Sequence, residues 1–345
     1  MRHQKSKIFS LKSIVILCVL LAGASSQAQE DPGLVKAAEG EPGFYYTIQK
    51  GDTLWDLSRK FYNSQWDWPG LWEMNKEIKN PHWIYPGKKI RVFLNTQAPS
   101  KAMEQQAPAP PQPSEKTVDP ITPTFVYPGM DRVGFIKKTQ EKSLGTIIRE
   151  RDKHLMISKD DIIYIKPADE GALKQGQIYH IFNVEQIKET FDRIKFTGVK
   201  HILKARVKIL KDMDTYWVGK ITAAYKDVGA GDMLMPYLPR AQALKIREKN
   251  DSIDAVLVCS ETNTLMINDR RIAFINKGRQ DNVLPGQVYT IYQSQTEKSF
   301  FGTKDKISIA PLLAGRLIVL HSEKISATVM VVSSRQGIHP GDMVN

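Results

Sequence analysis

Cysteine is almost absent from these 345 residues: Cys18 and Cys259 are the only two. Cys18 lies in an apolar N-terminal stretch, so the rest of the chain holds one thiol and no internal disulfide can form. Cys259 follows Val256-Leu257-Val258 and reads as a buried strand residue. A nucleophilic thiol needs a neighbouring base or a positive field. The Val-Leu-Val-Cys-Ser-Glu surroundings supply neither, and they lack the Ser-x-Gly-Cys run of a transpeptidase. Histidine is also sparse. Beyond His3 near the N-terminus, His82, His154, His180, His201, His321 and His339 form no His-x-His, His-x-x-x-His or His-Glu-x-x-His pattern, so a zinc peptidase has no ligand set. No metal or cofactor is expected. Nor does any run of five like charges occur, which argues for a scattered, solvated basic surface over a nucleic-acid interface.

What is present begins with a leader. Arg2, Lys5, Lys7 and Lys12 precede an apolar stretch from Ile14 to Ala22, and Ser26-Gln27-Ala28 is a small-x-small cleavage site. The apolar stretch is shorter than the roughly 20 residues a spanning helix needs. Residues 1–28 therefore read as a cleavable secretory signal peptide, the alternative being an uncleaved anchor. Ile16 and Leu17 before Cys18 are too large for a lipoprotein site. The expected location is the periplasm or cell envelope, with no transmembrane span after cleavage. The whole chain carries a formal charge of +12, and the leader holds four basic residues and no acids, leaving +8 beyond it. An exported basic protein meets anionic wall polymers and lipid head groups first.

The most informative window is Tyr45 to Val92. Tyr46 and Ile48 alternate with Thr47 and Gln49 as a half-buried strand does. Gly51-Asp52 breaks that strand, and Thr53 with Asp56 forms a capping box ahead of Leu54, Leu57 and Phe61 at helical spacing. Trp68, Leu71 and Trp72 fit a second short helix with Pro69 in its first turn. Pro86-Gly87 then turns the chain into a strand from Ile90 to Val92. This strand, helix, helix, strand order resembles the LysM family, a small βααβ module that binds N-acetylglucosamine-containing glycans, chiefly peptidoglycan. The resemblance rests on Gly51-Asp52-Thr53-Leu54-Trp55, on Asn75, and on Asn80-Pro81-x-Trp83-Ile84-Tyr85-Pro86-Gly87. Two departures stand out. Asn63 to Gly70 lengthens the link between the helices and adds Trp66 and Trp68, and His82 stands where many members carry an acid.

Gln97 to Pro123 holds seven prolines among Ala, Gln and Ser, too few apolar groups to offset the entropy of folding. It reads as an extended, semi-rigid tether between folded units. Beyond it the chain repeats itself at an offset of 110 residues. That offset pairs Leu155-Met156-Ile157 with Leu265-Met266-Ile267, Gly176-Gln177-x-Tyr179-x-Ile181 with Gly286-Gln287-x-Tyr289-x-Ile291, and Phe191 with Phe301. It also pairs Leu203-x-x-Arg206 with Leu313-x-x-Arg316, and Gly231-Asp232-Met233 with Gly341-Asp342-Met343. The stretches around Lys137 and Leu244 match poorly. Each copy alternates as strands do, and Pro239 to Lys249 is expected to form a short helix between them. The paired arrangement is similar to that of LysM-bearing envelope proteins of Gram-negative bacteria. The expected architecture is α+β and all-β. It comprises a LysM module at 44–94, a Pro-rich linker at 95–125, and β repeats at 126–236 and 237–345.

The resemblance implies a glycan groove between Gly51, Asp52, Thr53 and Leu54 on one loop and Pro81, His82, Trp83 and Ile84 on the other. Backbone groups in tight turns suit an acetamide, and Leu54, Ile84 and an aromatic suit the sugar's methyl and ring face. Trp83 is the candidate aromatic, whereas Trp55 and Trp72 read as core in a small module without disulfides. Asp52 reads as a turn-former, having no second carboxylate placed beside it for hydrolysis. Asp232, Asp342, Arg206 and Arg316 are duplicated, which suits structural turns and outward or acid-paired arginines. The expected function is that of a non-catalytic peptidoglycan binder that anchors a duplicated β region for an envelope protein partner. A cell-wall hydrolase with an unrecognised site in the repeats is the alternative.

Overall fold

The computed structural model describes residues 42–62, 64–92, 123–152, 156–247, 253–298 and 306–345. The leader, most of the Pro-rich tether, Leu155 and Phe301 lie outside the described residues.

Strand β1 (Gly43–Thr47) buries Phe44 and Tyr46 and leaves Tyr45 and Thr47 partly exposed, the period-2 pattern of a one-sided sheet. Helix α1 (Leu54–Tyr62) buries Leu54, Leu57 and Phe61 on one stripe. A 3₁₀ turn at Gln65–Asp67 leads into α2 (Trp68–Glu73), whose buried residue is Leu71. Strand β2 (Lys89–Val92) returns antiparallel to β1, with Phe44 opposite Val92 and Tyr46 opposite Ile90. Tyr46 meets Phe61 edge-on, with ring centroids 5.2 Å apart, which ties the sheet to α1.

The other edge of β1 is occupied as well. Strand β3 (Thr124–Val126) pairs with it antiparallel, Gly43 opposite Val126 and Tyr45 opposite Thr124. Thr124 and Phe125, which composition assigns to the end of the tether, are therefore strand residues. The Phe125-Val126-Tyr127 triplet supplies apolar side chains, and pairing satisfies an edge that would otherwise leave its N–H and C=O groups open. A further strand, Ala243–Lys245, adds to β3, giving a four-stranded sheet. This corrects the expected helix at 239–249. Leu244 lies opposite Phe125, the Tyr127 N–H donates to Gln242 O at 2.8 Å, and the Ile246 N–H donates to Pro123 O at 3.0 Å. The unpaired side of β3 captures a segment whose local propensity favours a helix.

The body is mostly β and contains two six-stranded, barrel-like sheets. After β4 (Phe135–Lys137), the first comprises β5 (Gly145–Glu150), β6 (Ile162–Pro167), β7 (Ile178–Phe191), β8 (Ile194–Asp212), β9 (Trp217–Ala224) and β10 (Met233–Pro236). Its order is β8-β7-β10-β5-β6-β9, closed by pairing of β9 with β8, with β4 added outside on β8. With Ala243–Lys245 counted as β11, the second comprises β12 (Ala255–Ser260), β13 (Ile272–Ile275), β14 (Val288–Lys298), β15 (Lys306–Ser322), β16 (Ala327–Ser334) and β17 (Met343–Val344). Its order, β15-β14-β17-β12-β13-β16, repeats the first strand for strand. The interiors match at the same offset. Ile147, Ile165, Tyr179, Ile181, Val207 and Leu234 fill one core, and Leu257, Ile275, Tyr289, Ile291, Leu317 and Val344 fill the other. Gly231 and Gly341 hold φ of +88° and +96° in equivalent turns, where a side chain would be strained.

The barrels share a seam. Ile136, Ile187 and Phe196 of the first pack with Val258, Cys259 and Phe274 of the second. The Ser326 hydroxyl donates to Ile136 O at 2.6 Å and the Thr328 hydroxyl to Gly134 O at 2.8 Å. Cys259 is buried there, and burial pushes its thiol up to about 11. The LysM-like elements meet the body too: Phe125, Tyr127, Met130, Val133, Ile318 and Met330 join Phe44, Leu57 and Leu71 in one cluster.

His180 on β7 is 3% exposed, and its Nδ1 has no hydrogen-bond partner. Burial first, then the charges of Arg240 and Arg206 against the opposing Asp131, push its pKa down to about 4. A depressed histidine contributes stability that is present above its unfolded value near 6.5 and is lost as pH falls towards the folded value. We expect acid to weaken the first barrel between pH 6.5 and 4, by up to about 3 kcal/mol from this group. His180→Thr, which installs the residue found at the equivalent Thr290, should flatten that slope in chemical denaturation series. Equal slopes for the two proteins would exclude His180 as the source.

Candidate functional site

Two loops lie side by side because the ladder beneath them continues past the strand ends. The Ile48 N–H donates to Lys88 O and the Gly87 N–H to Ile48 O, both at 2.8 Å. In the first loop Gly51 takes φ +97°. The Asp52 carboxylate then fastens the turn by accepting the Gln49 N–H at 2.7 Å and the Tyr46 hydroxyl at 2.8 Å. Burial, then Asp52, raises the Tyr46 phenol well above its ordinary value, so it remains a donor. Thr53 caps α1: its hydroxyl accepts the Asp56 N–H at 3.1 Å and donates to the Asp56 carboxylate at 2.7 Å. This is a variant of the expected capping box, with the acid bonding the cap's hydroxyl rather than its backbone.

The second loop is set by Asn80, whose side-chain oxygen accepts the His82 N–H at 3.0 Å while its carbonyl accepts the Trp83 N–H at 3.1 Å. Behind it, fully buried Asn75 joins α2 to β2. Its amide donates to Leu71 O at 2.7 Å and to Arg91 O at 2.9 Å, and its oxygen accepts the Arg91 N–H at 2.6 Å.

Between the loops runs a groove of about 540 Å³, within the range of about 300–1,000 Å³ usual for small-ligand sites. Asp52, Thr53, Leu54, Pro81, His82 and Ile84 line it, so six of the eight residues picked from sequence come together. Gly51 stands beside it, shaping the turn. Trp83, 69% exposed, lines a separate depression with Ile78, Tyr85 and Lys88, and Ile84 borders both. The aromatic walls of the groove itself are Trp55 and Trp68. Trp55 was read as core, but it is 40% exposed with the Arg59 guanidinium 5.4 Å from its ring. The signal was available: Leu54, Leu57 and Phe61 define the inner stripe, and Trp55 with Arg59 falls on the opposite side at i, i+4. Trp68 comes from the lengthened link and stacks on Trp72, with centroids 6.3 Å apart. Trp72 is half-buried against the core and donates from its indole to Ile78 O at 2.6 Å.

The family model of the LysM domain matches residues 46–93. The chain carries a LysM domain. No curated protein matches the chain. A LysM domain points to binding of N-acetylglucosamine-containing glycan such as peptidoglycan, and the groove suits one: tight turns present backbone groups, and Leu54, Trp55 and Trp68 offer apolar faces. Among the described residues no three His, Cys, Asp or Glu side chains gather to hold a metal ion, and no helix is long and apolar enough to cross a membrane.

Walls and frame of the LysM domain should separate on mutation. Trp68→Ala should weaken binding of a chito-oligosaccharide in a protein that stays folded, with some fall in melting temperature because the ring also packs against the core and on Trp72. Asn75→Ala orphans buried backbone groups at a cost of about 1–3 kcal/mol or more and should lower stability first. Calorimetric titration alongside thermal melts checks both. A Trp68→Ala protein with unchanged affinity would remove that ring from the site.

Proposed function

We propose that this protein is a non-catalytic, peptidoglycan-binding component of the cell envelope, exported by its leader, in which the LysM domain anchors the tandem barrels to the wall. The observation that carries the reading is the groove itself. It joins two loops of the LysM domain, and its lining is apolar and aromatic around few polar groups. Both carboxylates that border it are engaged locally, Asp52 by Tyr46 and Gln49 and Asp56 by Thr53 and by Arg59 at 3.3 Å. A glycan of several sugars crossing Ile84 reaches Trp83, which gives that exposed ring a contact role. The barrels support a scaffolding part because the matched residues that fill their interiors are apolar, Ile181 with Ile291 and Val207 with Leu317 among them. The periplasm is the proposed location, and an envelope protein the proposed partner of the barrels.

The same two acids favour one rival, a wall hydrolase, because Asp52 and Asp56 border a single groove and glycosidases work with paired carboxylates. Incubation with purified sacculi separates the readings. The full chain should pellet with sacculi, release no soluble muropeptides, and show a Kd roughly in the micromolar to millimolar range, since one shallow groove gains little after association entropy. Trp55→Ala, at an exposed wall of the groove, should reduce pelleting. Release of muropeptides that Asp52→Asn stops would establish the hydrolase instead.

A further inference from the structure

The seam between the barrels is one-directional: a hairpin of the first covers a wall of the second. The β7–β8 hairpin runs past the closed part of its own sheet. Its Ile187 and Phe196 pack with Val258, Cys259 and Phe274, and a side chain added at Gly341 would stand 3.0 Å from the Phe191 ring. Polar contacts fasten the same hairpin. The Asn263 amide of the second barrel donates to the Glu185 carboxylate at 2.8 Å, and Lys200 pairs with that carboxylate at 2.8 Å.

The same wall of the first barrel is bare. Strands β5 and β6 repeat β12 and β13 at the 110-residue offset, down to the bulge. Ile147 lies opposite Ile165 and Arg149 opposite Tyr164, as Leu257 lies opposite Ile275 and Cys259 opposite Phe274. Ile148 therefore corresponds to Val258, and Tyr164 to Phe274. Val258 and Phe274 are fully buried, whereas Ile148 is 45% exposed and Tyr164 half-buried. At Gly231, the counterpart of Gly341, an added side chain would meet nothing within 4 Å beyond its chain neighbours.

The hairpin that matches such a wall is on the second barrel. Strands β14 and β15 pair out to Lys298 with Lys306, past the closed part of their sheet and with one bulge more than β7–β8. The outer rungs, from Gln295 with Ile309 onward, pair only with each other among the described residues. The sequence between the two strands contains Phe300-Phe301, and Phe301 is the offset partner of Phe191. At the same offset Ile187 and Cys259 of the seam become Glu297 and Arg149, two opposite charges in place of two apolar groups.

We propose that the wall formed by Ile148, Arg149, Tyr164 and Gly231 receives the β14–β15 hairpin of a second copy of this chain, repeating between molecules the contact that β7–β8 makes within one. Such a contact is heterologous: each copy offers a wall on one barrel and a hairpin on the other, so copies add head to tail. Strand β4, which brings Ile136 to the seam, has no counterpart beside β15 among the described residues. The contact between copies is therefore the weaker of the two. A row of copies presents several LysM domains at once, and linked weak sites hold a surface more tightly than one site does. The inference goes beyond the proposed anchoring and uses no residue of the groove.

Sedimentation velocity of the purified protein tests it. The mean sedimentation coefficient should climb between roughly 1 and 300 µM protein. Ile148→Asp should abolish the climb at an unchanged melting temperature, since that side chain is exposed. Phe301→Asp should abolish it as well. An equimolar mixture of the two variants should form a dimer and nothing larger, because one variant keeps its hairpin and the other its wall. Saturating chito-oligosaccharide should leave association in place, so failure of glycan binding and failure of this contact read out separately. A protein that stays monomeric over the whole range overturns the proposal. So does association that survives Ile148→Asp or Phe301→Asp, or a mixture of the folded variants that stays monomeric, the outcome of a two-fold contact.

Discussion

Strand β1 is hydrogen-bonded along both edges, and the arrangement of everything else follows from that. On one side β2 closes the LysM domain, and on the other β3 brings in the start of the body. A two-stranded antiparallel pair in a small module is marginal in water. Here it becomes one end of a four-stranded sheet whose opposite edge strand, β11, comes from the segment between the barrels. The side chains follow the backbone: Phe125 meets Phe44 edge-on at 4.9 Å, and the LysM core continues into Met130, Val133 and the outer face of the second barrel. The groove therefore rests on a frame larger than the family motif, which limits how far its two loops can part.

The duplicated barrels illustrate which positions a closed sheet holds fixed. Closing six strands demands matching inward side chains and matching chain reversals. The offset pairs fall there: Tyr179 with Tyr289, Ile181 with Ile291, Gly231 with Gly341. Asp232 and Asp342 serve the reversal as well, accepting the N–H groups of Gly229 and His339 respectively at 2.8 Å. Outward positions are held by neighbours alone, and the neighbours of the two barrels differ.

Legibility in the sequence followed that division. The cap at Thr53, the inner stripe of α1 and the break at Gly51-Asp52 are local, so their signals lie within a few residues. The duplication was legible because interior identities survive at constant spacing. The poorly matching stretches around Lys137 and Leu244 mark the strands that leave the repeat: β4 pairs with β8, whereas β11 pairs with β3. That destination could not be read, since a three-residue strand carries little periodicity and its partner lies more than a hundred residues away. The groove was read from two motifs, and six of its residues converge as drawn. Trp68 escaped because an insertion has no template, and Trp55 because an aromatic beside a core stripe resembles core.

The segment from Thr124 to Val133 joins these observations. It pairs with β1, places Met130 and Val133 in the shared core, and delivers Asp131 to Arg206. A guanidinium in a barrel wall is costly unless a carboxylate or strong acceptor meets it. In the first barrel the lead-in segment meets that need while fastening the LysM domain to the body, so anchoring and charge compensation are one structural act. The stretch before the second barrel takes a different course, its backbone engaged by β3 through β11. The barrels share a strand order, and what distinguishes their surfaces is where the chain entering each of them is held.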